Sequence, residues 1–354
     1  THWLGGMGIM LFVLAVLPSM GVAGMVLARS EMSVIAQENF RTSVKNTLRI
    51  IFTVYIGLTL LETAALMICG MNLFDAVIHS FATIATGGFS SKNASIAYFN
   101  SVPIELVIML FMIFSGIHFG FIYSTFQKKE KLLCKSQIVK YYITALALGI
   151  VITSVNLYGD TFQSYSAALR YASFQIISIG TSTGFATTDS SLWPAVSQLL
   201  LIFFALQCAC AGSTSGGIKA DRMVMLGKAI LRQIKLMQHP RAIFTVRIDG
   251  RSIAEDALAL GILFISAYLI VVFLTTLLLT VMGIDLLSAF SGAVAVTGNV
   301  GPGLGTVGST GNFSHIPALG KWVLTAAMLL GRLEIYGLIL FFHPQIWQTK
   351  QRAV

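Results

Sequence analysis

Charge is scarce in this chain. Only 10% of its 354 residues are Asp, Glu, Lys or Arg, against 56% hydrophobic residues, whereas a soluble globular protein carries about 25% charged residues. That shortage excludes a cytosolic enzyme, a disordered tail and a nucleic-acid module. The formal net charge of +9 does not reopen nucleic acid as a partner, because long apolar runs separate the basic clusters. Cysteine is scarce as well, and four are too few for a disulfide scaffold. Cys69 and Cys208 lie in apolar runs, Cys134 lies in a lysine-rich loop, and Cys208-Ala209-Cys210 lacks metal-ligand spacing.

What the chain has is apolar length. A membrane span needs about 20 mostly apolar residues, and such runs occur at 3–27, 47–70, 103–126, 138–158, 193–211, 254–282 and 316–342. The first has no basic segment before it and is too long for a signal peptide. It begins at Thr1 inside an apolar segment, which reads as a fragment lacking its own beginning. All Lys and Arg except Lys92, Arg170, Lys321 and Arg332 fall in 28–49, 127–140, 217–253 and the tail. The positive-inside rule makes those segments cytoplasmic and the protein a multi-pass membrane protein in contact with lipid.

One unit recurs. A span is followed by a short apolar helix (73–84, 164–178, 285–295), then a Gly-rich loop (ATGGFS at 85–90, GTSTGFATTD at 180–189, VTGNVGPGLG at 296–305), then a further span. Gly88, Gly184 and Gly301 align, at separations of 96 and 117 residues. A helix of about 13 residues reaches about 20 Å, short of a core of about 30 Å, so each short helix enters and turns back. Irregular backbone at membrane depth is tolerated where it is buried in protein or lines a watery path. The inward-pointing helix C-termini favour a cation, and carbonyl rings can replace the water shell of potassium. Asp75, Asp160 and Asp285 fall near the outer helix starts, where they suit the N-terminus and can draw cations to the mouth. Gly57, Gly149 and Gly261 read instead as packing notches.

These residues resemble the TrkH/KtrB family of potassium uptake proteins, and its TrkH branch more closely. The resemblance covers essentially the whole chain and rests on THWLGGMGIM at 1–10, ATGGFS at 85–90, STGFATTD at 182–189, GSTSGGIK at 212–219, HPRA at 239–242, GNVGPGLG at 298–305 and GRLE at 331–334. It implies an all-α integral membrane fold with potassium-channel-like repeats of helix, re-entrant pore helix and helix around a central pore. The divisions are an inner helix and loop of an incomplete first unit (1–46), then pore units at 47–137, 138–253 and 254–354. Only three of four filters are then present. The lining carried over is Ala85, Thr86, Gly87 and Gly88; Thr181, Ser182, Thr183 and Gly184; and Gly298, Asn299, Val300 and Gly301, mainly through backbone carbonyls. Potassium is the transported substrate, with no organic cofactor. The resemblance further implies a homodimer, a cytosolic nucleotide-binding partner of the TrkA type and a bacterial inner membrane.

Two features suggest a gate. Gly212, Ser213, Thr214, Ser215, Gly216 and Gly217 interrupt the run 193–238 and make a poor helix interior. Arg332 sits near the middle of 316–342, where a charge costs about 2.5–3.5 kcal/mol on insertion scales. By resemblance, the loop obstructs the pore below the filter and Arg332 projects beside it. The plainer readings are a hinge for the loop and a salt bridge with Glu62 for Arg332.

Other classes fit less well. GSTSGGIK is not a phosphate-binding loop, because Ile218 separates Gly217 from Lys219 and no Ser or Thr follows the lysine. Gly212 to Gly216 is one residue too long for a rhomboid-type G-x-S-G, H-E-x-x-H is absent, and His79, His118 and His315 are scattered. An intramembrane enzyme would lose all turnover when Ser215 is replaced, whereas a channel-like protein would keep transport. An alternating-access cation symporter is the nearer competitor, but such carriers usually show inverted repeats, and these units run in one direction.

Overall fold

The computed structural model describes residues 1–11, 44–128, 135–207, 209–332 and 335. Residues 28–43 of the first basic loop lie outside them, as do 129–134 of the second, Cys134 among them, and Cys208, Glu334 and the basic tail. The described chain is helical except for a two-stranded hairpin, β1 (Arg247–Ile248) and β2 (Arg251–Ser252).

The helices are α1 (His2–Leu11), α2 (Val44–Ile68), α3 (Leu73–Ile84), α4 (Val102–Ser115), α5 (Phe119–Lys128), α6 (Gln137–Leu157), α7 (Tyr165–Gly180), α8 (Ala195–Leu206), α9 (Ala220–Gln238), α10 (Glu255–Val281), α11 (Leu286–Thr297) and α12 (Ala318–Arg332). Among the described residues, α2, α6 and α10 are each long and apolar enough to cross a membrane. The short helices α3, α7 and α11 pack against α2, α6 and α10 respectively. At about 1.5 Å per residue, the 12 residues of α3 and α11 cannot cross. This is an all-α membrane fold built on repeated long-helix and short-helix pairs.

Two of the three short helices start where a polar side chain serves an unpaired N–H group. Asn72 accepts the Asp75 N–H and Asp285 accepts the Ser288 N–H. The sequence places three acids at these starts, but they act differently. Asp75 takes the Ser91 hydroxyl, the Asn72 amide and, at 3.5 Å, Lys92. Asp285 is the cap itself, and Asp160 is exposed in the turn before Ser164, the N-cap of α7. Two of the three carboxylates are therefore engaged in holding helix starts.

Two spans depart from expectation. The run 103–126 is not one helix: α4 and α5 meet at 101° across Gly116-Ile117-His118. A Ser-Gly pair is a known kink site, and here the freed main chain bonds elsewhere, with the Gly116 carbonyl accepting the Cys210 N–H at 3.0 Å. The run 193–211 is helical only as α8, because the chain turns away at Gln207 and Ile218 N–H returns to the Leu206 carbonyl. The break is thus 207–219, wider than 211–217. Of the three expected packing glycines, Gly149 fits against Phe204 and Ile176, and Gly261 lies beside Met225. Gly57 has nothing within 4 Å among the described residues.

Candidate functional site: three loops and the break beneath them

The three Gly-rich loops share one backbone path. Each pore helix ends in a right-handed residue: Ala85 (φ −80, ψ 0), Thr181 (φ −96, ψ 1) and Gly298 (φ −74, ψ −10). Each then takes a left-handed residue, Thr86 (φ 51), Ser182 (φ 55) or Asn299 (φ 53), and two positions later a left-handed glycine, Gly88, Gly184 or Gly301. The closing bonds match too. Thr86, Ser182 and Asn299 N–H groups reach back to Thr83, Ile179 and Val296; Gly87, Thr183 and Val300 reach back to Ala82, Ser178 and Ala295. A non-glycine residue at positive φ is uncommon. Three at one aligned position show the repeat independently of sequence spacing.

The loops also touch in order. A Cβ on Gly88 would run into the Thr183 carbonyl oxygen, and a Cβ on Gly184 into that of Val300. With φ of 63 and 86, these positions require glycine twice over, for backbone angle and for space. Gly301, the next in the series, is exposed and has nothing within 4 Å of where a Cβ would stand among the described residues. Side chains brace the loops from behind: Ser178 donates to the Phe185 carbonyl (2.7 Å), His79 Nε2 meets Ser90 Oγ (2.8 Å), and the Leu304 N–H donates to Ser291 Oγ (2.8 Å).

The break 207–219 lies directly against these loops. Thr214 Oγ1 donates to the Ile84 carbonyl at the end of α3 (3.0 Å), and the Gly216 N–H donates to Ser182 Oγ (3.3 Å). A Cβ on Gly216 would stand 2.6 Å from the Gly298 carbonyl oxygen. One short segment thus contacts the base of all three loops, and Ser213 to Lys219 are buried. Arg332 joins it, with Nη1 donating to the Thr214 carbonyl at 2.7 Å. The salt bridge to Glu62 does not form: Glu62 has no hydrogen-bond partner among the described residues.

Sequence reasoning missed three supports of the break. Asp221 Oδ1 accepts the Ala211 N–H (2.9 Å) and anchors the loop to the start of α9. His118, in the α4–α5 break, fills the space beside Gly212 that a Cβ would need. Cys210 and Phe119 N–H groups bond across to the Gly116 and Gly212 carbonyls. The Ser115-Gly116 pair was the available signal for this second break.

The TrkH family, described as cation transport proteins, matches residues 1–349. The Trk system potassium uptake protein TrkH of Escherichia coli K12 is 37% identical over 350 residues, 98% of this chain and 72% of that protein. TrkG of the same organism is 30% identical, over 98% of this chain and 72% of its own length. The crystal structure of the potassium transporter TrkH from Vibrio parahaemolyticus superposes with a TM-score of 0.84 at 33% identity, covering 98% of this chain and 71% of that one. A shared backbone path in three loops, a buried break beneath them and this breadth of similarity lead to one assignment: the chain belongs to the TrkH family of cation transport proteins.

Proposed function

We propose that this chain forms most of a potassium uptake pathway, in which main-chain oxygens of residues 85–88, 181–184 and 298–301 replace the water shell of the ion. The observation that carries the reading is the ordered contact of the loops, Gly88 on Thr183 and Gly184 on Val300. Alternating right- and left-handed residues turn successive peptide groups about the loop axis, and carbonyls so arranged suit a dehydrated alkali cation. The open space beside Gly301 is where a fourth loop would close the ring. The negative ends of α3, α7 and α11 point toward the same place and favour a cation there. The membrane potential drives the ion inward, at about 2.3 kcal/mol per charge per 100 mV.

In the same reading, residues 211–217 and Arg332 form the gate. The segment occupies the space on the inner side of the loops, and the arginine adds a positive charge beside it. The units at 47–137, 138–253 and 254–354 are its walls. A cytosolic nucleotide-binding subunit acting on the basic cytoplasmic segments, a homodimeric assembly and a bacterial inner membrane complete the proposal. The names of the relatives support potassium as cargo.

The test is rescue of cells that lack potassium uptake by the full-length protein, with Gly88→Ser and Gly184→Ser compared for potassium against sodium. Both variants should lose preference for potassium. Wild-type selectivity in both would sink the filter assignment.

A further inference from the structure

Behind the Gly-rich loops, one position on the short helices recurs. His79 on α3 and Gln175 on α7 are separated by the same 96 residues as Gly88 and Gly184, and Gln175 and Gly292 on α11 by the same 117 as Gly184 and Gly301. The three therefore sit at one place relative to their loops. His79 and Gln175 are both buried. A polar side chain buried that deeply needs partners, and each of the two finds them in the same two directions.

The first direction is the outgoing end of the residue's own loop. The Asp75 carbonyl accepts only, so His79 Nδ1 donates to it at 2.7 Å, and Nε2 is left for Ser90 Oγ at 2.8 Å. Ser90 Oγ also takes the Lys92 N–H at 3.1 Å, which fixes the chain where it leaves the loop. Gln175 Nε2 donates to the Thr188 carbonyl at 3.1 Å. That partner too accepts only, so the amide must turn its NH2 toward it, and Oε1 has no partner among the described residues.

The second direction is the neighbouring loop, in the order in which the loops touch. The His79 and Phe185 ring centroids are 5.8 Å apart, and Phe185 directly follows Gly184. Gln175 Nε2 lies 3.5 Å from Ser309 Oγ, just beyond loop 296–305, and Ser309 Oγ lies 3.0 Å from Ser190 Oγ. Beside them Thr310 Oγ1 donates to Asp189 at 2.8 Å. Each side chain thus touches the loop it stands behind and the one that loop leans on, as Gly88 leans on Thr183 and Gly184 on Val300.

At the same place α11 has no side chain. A Cβ on Gly303 would stand 3.1 Å from the Gly292 nitrogen, so there the outgoing chain packs on helix backbone, and Ser291 takes the Leu304 N–H at 2.8 Å. The third loop is closed by contact, the first two by a side chain that reaches across. Carbonyls that select an ion must be held in number and spacing, and these two side chains hold one loop against the next.

We propose that His79 and Gln175 are specificity-determining positioning residues, which set the register of successive Gly-rich loops and through it the preference for potassium, a role that rests on the filter reading. Neither touches the ion; His79 acts through Ser90 and Phe185, and Gln175 through Thr188 and Ser309.

The test measures potassium and sodium flux through the full-length protein in proteoliposomes, alongside its unfolding temperature. His79→Leu and Gln175→Met keep bulk and remove the polar contacts. Each should lower potassium preference roughly five- to tenfold, the scale of one buried hydrogen bond. His79→Gln, which places an amide where α7 has one, should keep wild-type preference. Ser90→Ala removes the His79 bond from the loop side and should match His79→Leu, and the double variant should be no worse than either alone. Wild-type preference in His79→Leu or Gln175→Met would overturn the proposal. So would a His79→Gln variant as unselective as His79→Leu, or losses of preference that simply track the unfolding temperature across the set. Ser90 lies outside the helix, so Ser90→Ala decides the matter where a helix variant fails to fold: wild-type preference there overturns the role. Gly88→Ser separates the two readings. If it also keeps potassium preference, the filter reading has failed; if it loses preference while the His79, Ser90 and Gln175 variants keep theirs, only the positioning role has.

Discussion

The guanidinium of Arg332 donates to the carbonyl of Thr214 at 2.7 Å, and the hydroxyl of the same threonine donates to the carbonyl of Ile84 at 3.0 Å. Thr214 therefore links the end of α12 to the end of α3 through one residue. Replacing Arg332 by Ala removes both the charge and one restraint on residues 211–217. Cation flux through the full-length protein in proteoliposomes should rise. Unchanged flux with reduced protein yield would mean that the arginine only holds the fold.

Asp221 restrains the same segment from its other side, through the Ala211 N–H. Asp221→Ala should raise flux in the same assay, and Asp221→Asn, which keeps an acceptor oxygen, should stay near wild type. Equal flux in both variants would remove Asp221 as an anchor.

Arg170 and Glu105 form a two-pronged pair, Nε to Oε2 and Nη2 to Oε1, both 2.7 Å, joining α7 to α4. Glu105 is 2% exposed and the Arg170 side chain 25%. Breaking a buried pair by removing one partner costs 3–5 kcal/mol in general. With Arg170 partly wet, Arg170→Met should cost about 2–3 kcal/mol, seen as a lower unfolding temperature in detergent. The double variant Arg170→Met/Glu105→Leu should recover most of that loss, and no recovery would argue against a penalty from the stranded carboxylate.

Asp285 caps α11, and the Ser288 N–H it accepts holds its carboxyl below the usual aspartate range. A lowered folded value means that its stabilising contribution is complete above the ordinary aspartate pKa of about 3.9 and fades as pH falls through the lower folded value. Asp285→Ala should cost about 1 kcal/mol at neutral pH. The gap to wild type in thermal unfolding should close only in strong acid. A gap that closed near neutral pH would show that another group is responsible.

Much of this architecture was readable before any coordinates. The short helices could be placed because an apolar stretch of about 13 residues leading into a Gly-rich loop cannot span, and the loops because Gly88, Gly184 and Gly301 share a context. Arg332 stood out because charge is rare in a span. The break at Gly116–His118 was hidden, since its flanks are apolar enough to read as one helix and the cause is tertiary: a carbonyl bonded to Cys210 rather than within its own helix. The early turn at Gln207 was hidden for the same reason. Glu62 was visible as an acid, but only packing shows that neither of its oxygens finds a hydrogen-bond partner among the described residues.

The crossed main-chain bonds at the two breaks bear on movement. Cys210 N–H to Gly116 O and Phe119 N–H to Gly212 O tie the interruption in one wall to the interruption in its neighbour, at 3.0 and 3.4 Å. Because backbone makes these links, no exchange of side chains can uncouple them. Any displacement of residues 211–217 must therefore either cut both ties or carry the α4–α5 elbow along with it.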